Sequence, residues 1–387
     1  MARVTRDKIP VFIPDLPSAD SLICYLRMID DNRIYSNNGP LNQLLVSRYS
    51  IIFSTPSEKM VLSSNGTAAL TQILSSHNVA NKSDHVICPS FTFPATASSI
   101  VAAGGSPLFV DVDMESLGVT PEILKKALKF ASSQEIIVKA AIVVAPFGGS
   151  VDFGEWIDFQ SETGIPVVID AAGSFHAMAQ TMSEHEGDLN LDLMISLHAT
   201  KPFGIGEGAI VIARDKVTAE TIRMWGNFGF NGERRSIVPG VNSKLSEYSA
   251  AVGLAVIDEI DNQIERYQTA REKLFDNVNL PLNIKFVFRE SDSKFVTGYS
   301  MIRLKDMDVL QFMDHLQSHG IDSRKWWDGG CHDQIGFQSR ILQYPHDWFT
   351  NTQRLVGELC GIPFYSAINS SQLVRISKSI NSYKQKR

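Results

Sequence analysis

The stretch KMVLSSNGTAALTQILSSHNVANKSDHVICPSFTFPATASSIVAAGGSPLFVDVD, residues 59–113, decides the fold class. Three short apolar runs in it (KMVLSS, DHVICPS and SPLFVDVD) alternate with two longer stretches, GTAALTQILSSH and TFPATASSIVAAG, of helical character. Short apolar runs bounded by turn residues read as buried strands, and strands separated by helices build a mostly parallel, helix-covered sheet. Further along, KAAIVVAPF (139–147), IPVVIDAAG (165–173), LDLMISLHA (191–199) and GAIVIAR (208–214) supply more strands of the same kind.

A chain of 387 residues exceeds what one simple core holds, so two domains or one large unit with an appended lobe are expected. LSEYSAAVGLAVIDEIDNQIERYQTAREKLF (245–275) reads as one long amphipathic helix bridging the two. After it, FVTGYSMIRL, DVLQFMDHLQSHG and QLVRISKSINSY suggest a smaller α+β lobe. The expected division is 1–255, an N-terminal arm with the large domain, and 256–387, the small C-terminal domain.

Lys and Arg number 36 against 42 Asp and Glu, a formal net charge of −6, so no basic field marks nucleic acid or an anionic membrane surface as the partner. Pro10, Pro14 and Pro17 interrupt any leader-like apolar segment, and no apolar run reaches the roughly 18 residues that span a bilayer. A cytoplasmic location is expected. Cys24, Cys88, Cys331 and Cys360 lie far apart without metal-ligand spacing, which favours reduced thiols over a disulfide framework or a zinc site.

Three segments carry chemistry. In SNGTAAL (64–70), Gly66 follows a strand and opens a helix, whose free N–H groups suit a phosphate, although an ordinary N-cap looks the same. In VVIDAAG, Asp170 sits at the mouth of the sheet, where a carboxylate needs a cationic partner such as a protonated ring nitrogen, unless it caps the next helix. In SLHATKPFG, Lys201 follows a strand and precedes a glycine-rich turn, either a Schiff-base lysine aimed at an aldehyde or a lysine reaching solvent. Asp170 and Lys201 both fall just past strand ends, where open α/β sheets keep their sites.

The ordered set IYSNNGP, SNGTAAL, CPSFTFPAT, FVDVD, IDAAG, SLHATKPFGIGEGAIV, NFGF, PGVNSKLSEYSAAVGL and CGIPFYSAI resembles the DegT/DnrJ/EryC1/StrS family of sugar aminotransferases. The resemblance implies an α/β fold of type I (aspartate aminotransferase-like), with a mostly parallel seven-stranded sheet and a smaller α+β C-terminal domain. It implies pyridoxal 5'-phosphate (PLP) as cofactor, bonded to Lys201, with its ring nitrogen on Asp170. Gly66, Thr67 and Ser196 match residues at the cofactor phosphate, and Phe93 matches the aromatic stacked on the ring. Asn242 matches the residue that reaches the neighbouring subunit's cofactor, which implies a homodimer with shared active sites.

By the same resemblance the donor is L-glutamate and the acceptor a dTDP- or GDP-linked 4-keto-6-deoxyhexose, giving a 4-amino-4,6-dideoxy sugar by a ping-pong mechanism. A 3-keto sugar aminotransferase and a non-catalytic PLP-fold binding or regulatory protein are the alternatives. A dehydratase of this fold would carry histidine in place of Lys201, and an enzyme acting on amino acids alone would need an arginine clamp, for which Arg234, Arg235 and Arg324 are candidates.

Two places depart from the family. Gly173 stands where many members have Gln, removing a side-chain hydrogen bond near the cofactor's phenolic oxygen, with Ser174 and His176 as substitutes. In SRKWWDGGCHDQIGF (323–337), Trp326 and Trp327 offer faces for a base or sugar and His332 a hydrogen bond to substrate, or else the group packs the small domain.

Overall fold

Seven strands form the larger sheet of the protein, in a computed structural model that describes residues 8–185, 189–287 and 295–384. They are β1 (Met60–Ser63), β2 (Asp84–Pro89), β3 (Ser106–Val110), β4 (Ile137–Val144), β5 (Val167–Asp170), β6 (Asp192–Ser196) and β7 (Ala209–Ile212). Their order is β1-β7-β6-β5-β4-β2-β3, and β7 alone runs antiparallel to its neighbours. β1, β3, β5, β6 and β7 are buried at every position, so they read as continuous apolar runs, the signature of a sheet covered on both faces. In the parallel pair β5–β6, Asp170 lies opposite Met194, so the chain leaving each strand opens on the same edge of the sheet.

The bridging segment differs from the single helix its pattern predicts. It divides into Glu247–Asp258 and Ile260–Asn277, with Glu259 at φ −109° and ψ 11° between them. The two halves serve different cores. The first, rich in Ala and Val, packs on the helices Ala19–Asn32 and Pro40–Ile52, whereas the second packs on the helix Ser370–Ser382.

The second sheet is antiparallel throughout, in the order β10-β11-β9-β8, with β8 Ile284–Phe286, β9 Ser300–Leu304, β10 Arg324–Lys325 and β11 Leu359–Ile362. Residues 8–15 lie along this smaller lobe. Ile9 bridges Ile321 while its carbonyl accepts from Asp322 N at 2.9 Å, Phe364 N donates to Val11 O at 3.0 Å, and Ser366 Oγ donates to Asp15 Oδ2 at 2.7 Å.

Glu247 joins the start of the helix Pro40–Ile52 to the helix it begins. Its carboxylate, 1% exposed, accepts from Leu41 N at 2.8 Å, Asn42 N at 3.1 Å and Asn42 Nδ2 at 2.5 Å. The two backbone amides are orphan donors of a helix N-terminus, where a negative charge is also favoured. Glu247→Ala is expected to lower stability by about 2–4 kcal/mol, because several buried donors lose their acceptor together. Thermal unfolding of Glu247→Ala and Glu247→Gln tests this: the Gln variant, keeping one acceptor oxygen, should melt between Ala and wild type.

Candidate active site

At the carboxyl edge of the larger sheet a cavity of about 630 Å³ opens, walled by both lobes. Its floor begins with the helix Gly66–Ser76, which follows β1 almost at once. The Asn65 side chain caps this helix by accepting from Ala68 N at 2.9 Å, leaving the amides of Gly66 and Thr67 at the mouth. Both residues line the cavity. A Cβ on Gly66 would sit 3.2 Å from Met194 Sδ and 3.4 Å from Ser196 Cβ, so glycine allows the helix start to approach β6 this closely. Ser196 lines the cavity beside it.

Asp170 ends β5 and is 5% exposed. Thr96 Oγ1 donates to its Oδ2 at 2.8 Å and Ala172 N to its Oδ1 at 3.2 Å, while Thr92 Oγ1 and Thr96 Oγ1 lie 3.0 Å apart. Burial raises the carboxyl above its ordinary range, against the opposing pull of Thr96, the Ala172 amide and Lys201. A buried carboxylate facing a cavity at that cost fits a cationic ring nitrogen as its missing partner.

Lys201 lies in a closed loop after β6, held by Ala199 N to Gly206 O at 2.8 Å and Lys201 N to His198 O at 2.8 Å. Gly204 permits the loop, since a Cβ there would meet His198 O at 2.5 Å. The half-buried lysine projects into the cavity and its Nζ donates to the Tyr299 hydroxyl at 2.5 Å. Phe93 stands at the N-cap of the helix Pro94–Ala102, 62% exposed, on the cavity wall. A helix N-terminus for phosphate, a buried carboxylate for the ring nitrogen, an aromatic face and a lysine are therefore collected at one site, which fits PLP.

Trp326 and Trp327 also line the cavity. Trp327 stacks on Phe147 with centroids 5.0 Å apart, and Trp326 packs edge-on against Phe147 at 5.3 Å and Tyr299 at 5.6 Å. Phe147 and Trp327 both hold left-handed backbone on this wall, φ 51° and 45°. Arg324 lines the same wall, its guanidinium 5.3 Å from the Phe12 ring and 5.5 Å from the Trp326 ring.

Two candidates lie elsewhere. His332 is not in the cavity lining: its Nδ1 pairs with Ser90 Oγ at 2.5 Å, its ring stacks on Phe349 at 3.7 Å, and burial lowers its pKa. Asn242 is exposed, bridges Asn227, and is likewise outside the lining formed by this chain. Tyr299, Thr96, Phe147 and Phe12 are site residues that sequence reasoning missed. The only signal for Tyr299 was its place beside Gly298 at the head of a strand pattern.

Among the described residues no helix is long and apolar enough to cross a membrane. A family model described as the DegT/DnrJ/EryC1/StrS aminotransferase family matches residues 27–381. A dTDP-4-amino-4,6-dideoxy-D-glucose transaminase of Shigella dysenteriae is 30% identical over 384 residues, 97% of this chain and 99% of its own. A UDP-2-acetamido-2-deoxy-3-oxo-D-glucuronate aminotransferase of Pseudomonas aeruginosa is 32% identical over 251 residues, 64% of this chain and 66% of the relative. The solved structure of a Bacillus cereus protein described as a PLP-dependent aminotransferase superposes with a TM-score of 0.84 at 24% identity, covering 97% of this chain and 100% of that one. On the match to the family model and the shared fold, the chain belongs to the DegT/DnrJ/EryC1/StrS aminotransferase family, and its cofactor is pyridoxal phosphate.

Proposed function

We propose that this aminotransferase moves the amino group of L-glutamate onto a nucleotide-linked 4-keto-6-deoxyhexose, dTDP- or GDP-linked, yielding a 4-amino-4,6-dideoxy sugar. The observation that carries the catalytic part is the meeting of Lys201 and Asp170 on one cavity beside the open helix start at Gly66. The sugar part rests on similarity to the Shigella transaminase along nearly the whole chain.

Bound PLP supplies the electron sink that lets an amine and a carbonyl exchange places. The amides of Gly66 and Thr67 with the Ser196 hydroxyl would hold its phosphate, and Phe93 would offer its ring an aromatic face. Asp170 would keep the ring nitrogen protonated. Lys201 would carry the cofactor through its Nζ, and the same Nζ is the base placed to hold or move a proton at the donor's α-carbon. Trp326 and Trp327 present apolar faces to the sugar. Arg324, for which no hydrogen-bonding or ionic side-chain partner is found among the described residues, is held by its two aromatic neighbours with its N–H fork free for the donor carboxylate. Asn242, outside the cavity of its own chain, would serve the partner's cofactor in a homodimer.

A second reading, a 3-keto acceptor, is favoured by the similarity to the Pseudomonas enzyme over part of the chain. Incubation of the PLP-loaded protein with L-glutamate and dTDP-4-keto-6-deoxyglucose or its GDP counterpart should give the amino sugar nucleotide and 2-oxoglutarate in equal amounts by mass spectrometry. Conversion of a 3-keto sugar nucleotide in place of these would move the reading to the second one, and no conversion of any would remove the sugar assignment.

A further inference from the structure

Gly173 removes a side chain from the cofactor pocket, and neither neighbour replaces it. Ser174 Oγ is buried without a hydrogen-bond partner among the described residues, and His176 Nδ1 accepts from Val296 N at 3.3 Å while burial lowers its pKa. Neither residue is in the cavity lining.

We propose that Tyr299, from the smaller lobe, takes over the place and the work of the glutamine that Gly173 displaces, acting as a catalytic residue on Lys201 Nζ. A Cβ at position 173 would lie 3.2 Å from Tyr299 Cε2, so the phenol ring occupies the space into which a longer side chain at 173 would extend. The exchange is reciprocal: glycine at 173 is what admits the ring. Its hydroxyl accepts the hydrogen bond of Lys201 Nζ at 2.5 Å.

The ring is held from several sides. Phe147 packs edge-on at 5.7 Å and Trp326 at 5.6 Å, and Tyr299 N donates to Thr297 Oγ1 at 3.2 Å, which itself donates to Phe147 O at 2.6 Å. Gly298 keeps this segment against the lysine turn, since a Cβ there would sit 3.2 Å from Pro202 Cδ. A phenol hydroxyl both accepts and donates one bond, so while it accepts from Nζ its own proton remains available to an oxygen in the cavity. A glutamine amide offers the same pair of capacities. The reacting nitrogen is thus positioned by a residue of the other lobe, 98 positions away in the chain, and the site is complete only with that lobe in place.

This inference rests on Lys201 being the cofactor-bearing lysine, and its test separates the two. The readout is the pH midpoint of the cofactor's visible band in the holoenzyme, with the rate of the half-reaction on L-glutamate as a second measure. Tyr299→Phe, which keeps the ring, should move the midpoint by about one unit and slow the half-reaction by about tenfold to a hundredfold, as expected for one hydrogen bond to an ionised group. Tyr299→Ala opens the space, and adding Gly173→Gln to it should return the midpoint towards wild type. An unmoved midpoint in Tyr299→Phe overturns the proposal even if the rate falls, because a packing role alone would slow the enzyme. A moved midpoint with no recovery in the Gly173→Gln/Tyr299→Ala protein overturns the exchange between the two positions. A wild-type band indifferent to Lys201→Ala would instead remove the assignment of Lys201.

Discussion

Lys201→Ala should abolish the Lys201-dependent absorption band of the PLP-loaded protein and slow the half-reaction with L-glutamate by more than about 1,000-fold, since in the proposed function one amine is both the covalent tether and the mobile base. Among the described residues no other lysine lines the cavity to take its place. The fold should survive, because the side chain is half-buried and its hydrogen bond goes to the Tyr299 hydroxyl. Thermal unfolding within a degree or two of wild type, together with a lost band, is the combined result to look for. Retention of the band and of its response to glutamate in this variant would show that the cofactor is held elsewhere.

Asp170→Asn should cost about 100- to 1,000-fold in the half-reaction, as in the proposed function an amide of the same shape would no longer stabilise a protonated ring nitrogen. The same substitution should stabilise the cofactor-free protein. The folded-state carboxyl is raised by burial. Its neutral acid is therefore tolerated below the ordinary carboxylate range, and stability is lost as pH rises through the raised value. Asn carries no such charge. Cofactor-free Asp170→Asn should accordingly melt roughly one to a few degrees above cofactor-free wild type near pH 8, with the gap closing towards pH ~4. Equal melting temperatures at both pH values would mean that Thr96 and the Ala172 amide already satisfy the charge.

The strands of the larger sheet were legible because each is an unbroken apolar run between turn residues, as in VVID of β5 and AIVI of β7. Strand order was not. Nothing local says that β7 inserts between β1 and β6 against their direction, a choice set by packing across the whole sheet. The break at Glu259 was hidden because helical periodicity continues through it, and only the change of packing partner shows it.

The structure brings Lys201, Asp170, Gly66, Thr67, Ser196 and Phe93 together because the strands deliver their carboxyl ends, and the turns that leave them, to one edge of the sheet. His332 illustrates the opposite case: a lone histidine in a loop carries no mark of whether it faces a ligand or, as here, a serine and a phenylalanine. Tyr299 was invisible for another reason. Its partners Lys201 and Gly173 lie in a different lobe, and a contact across that sequence distance leaves no period to read.

The placement of residues 8–15 has a consequence in time. These residues leave the ribosome long before the segment on which they dock, since Asp15 and Ser366 are separated by 351 positions. Every strand of the larger sheet is synthesised in between. The wall that Val11 and Phe12 contribute to the cavity is accordingly completed late, from residues made well before the segment they dock on. The entropic cost of so long a closure rises only with the logarithm of its length, so the late docking is a matter of order more than of stability.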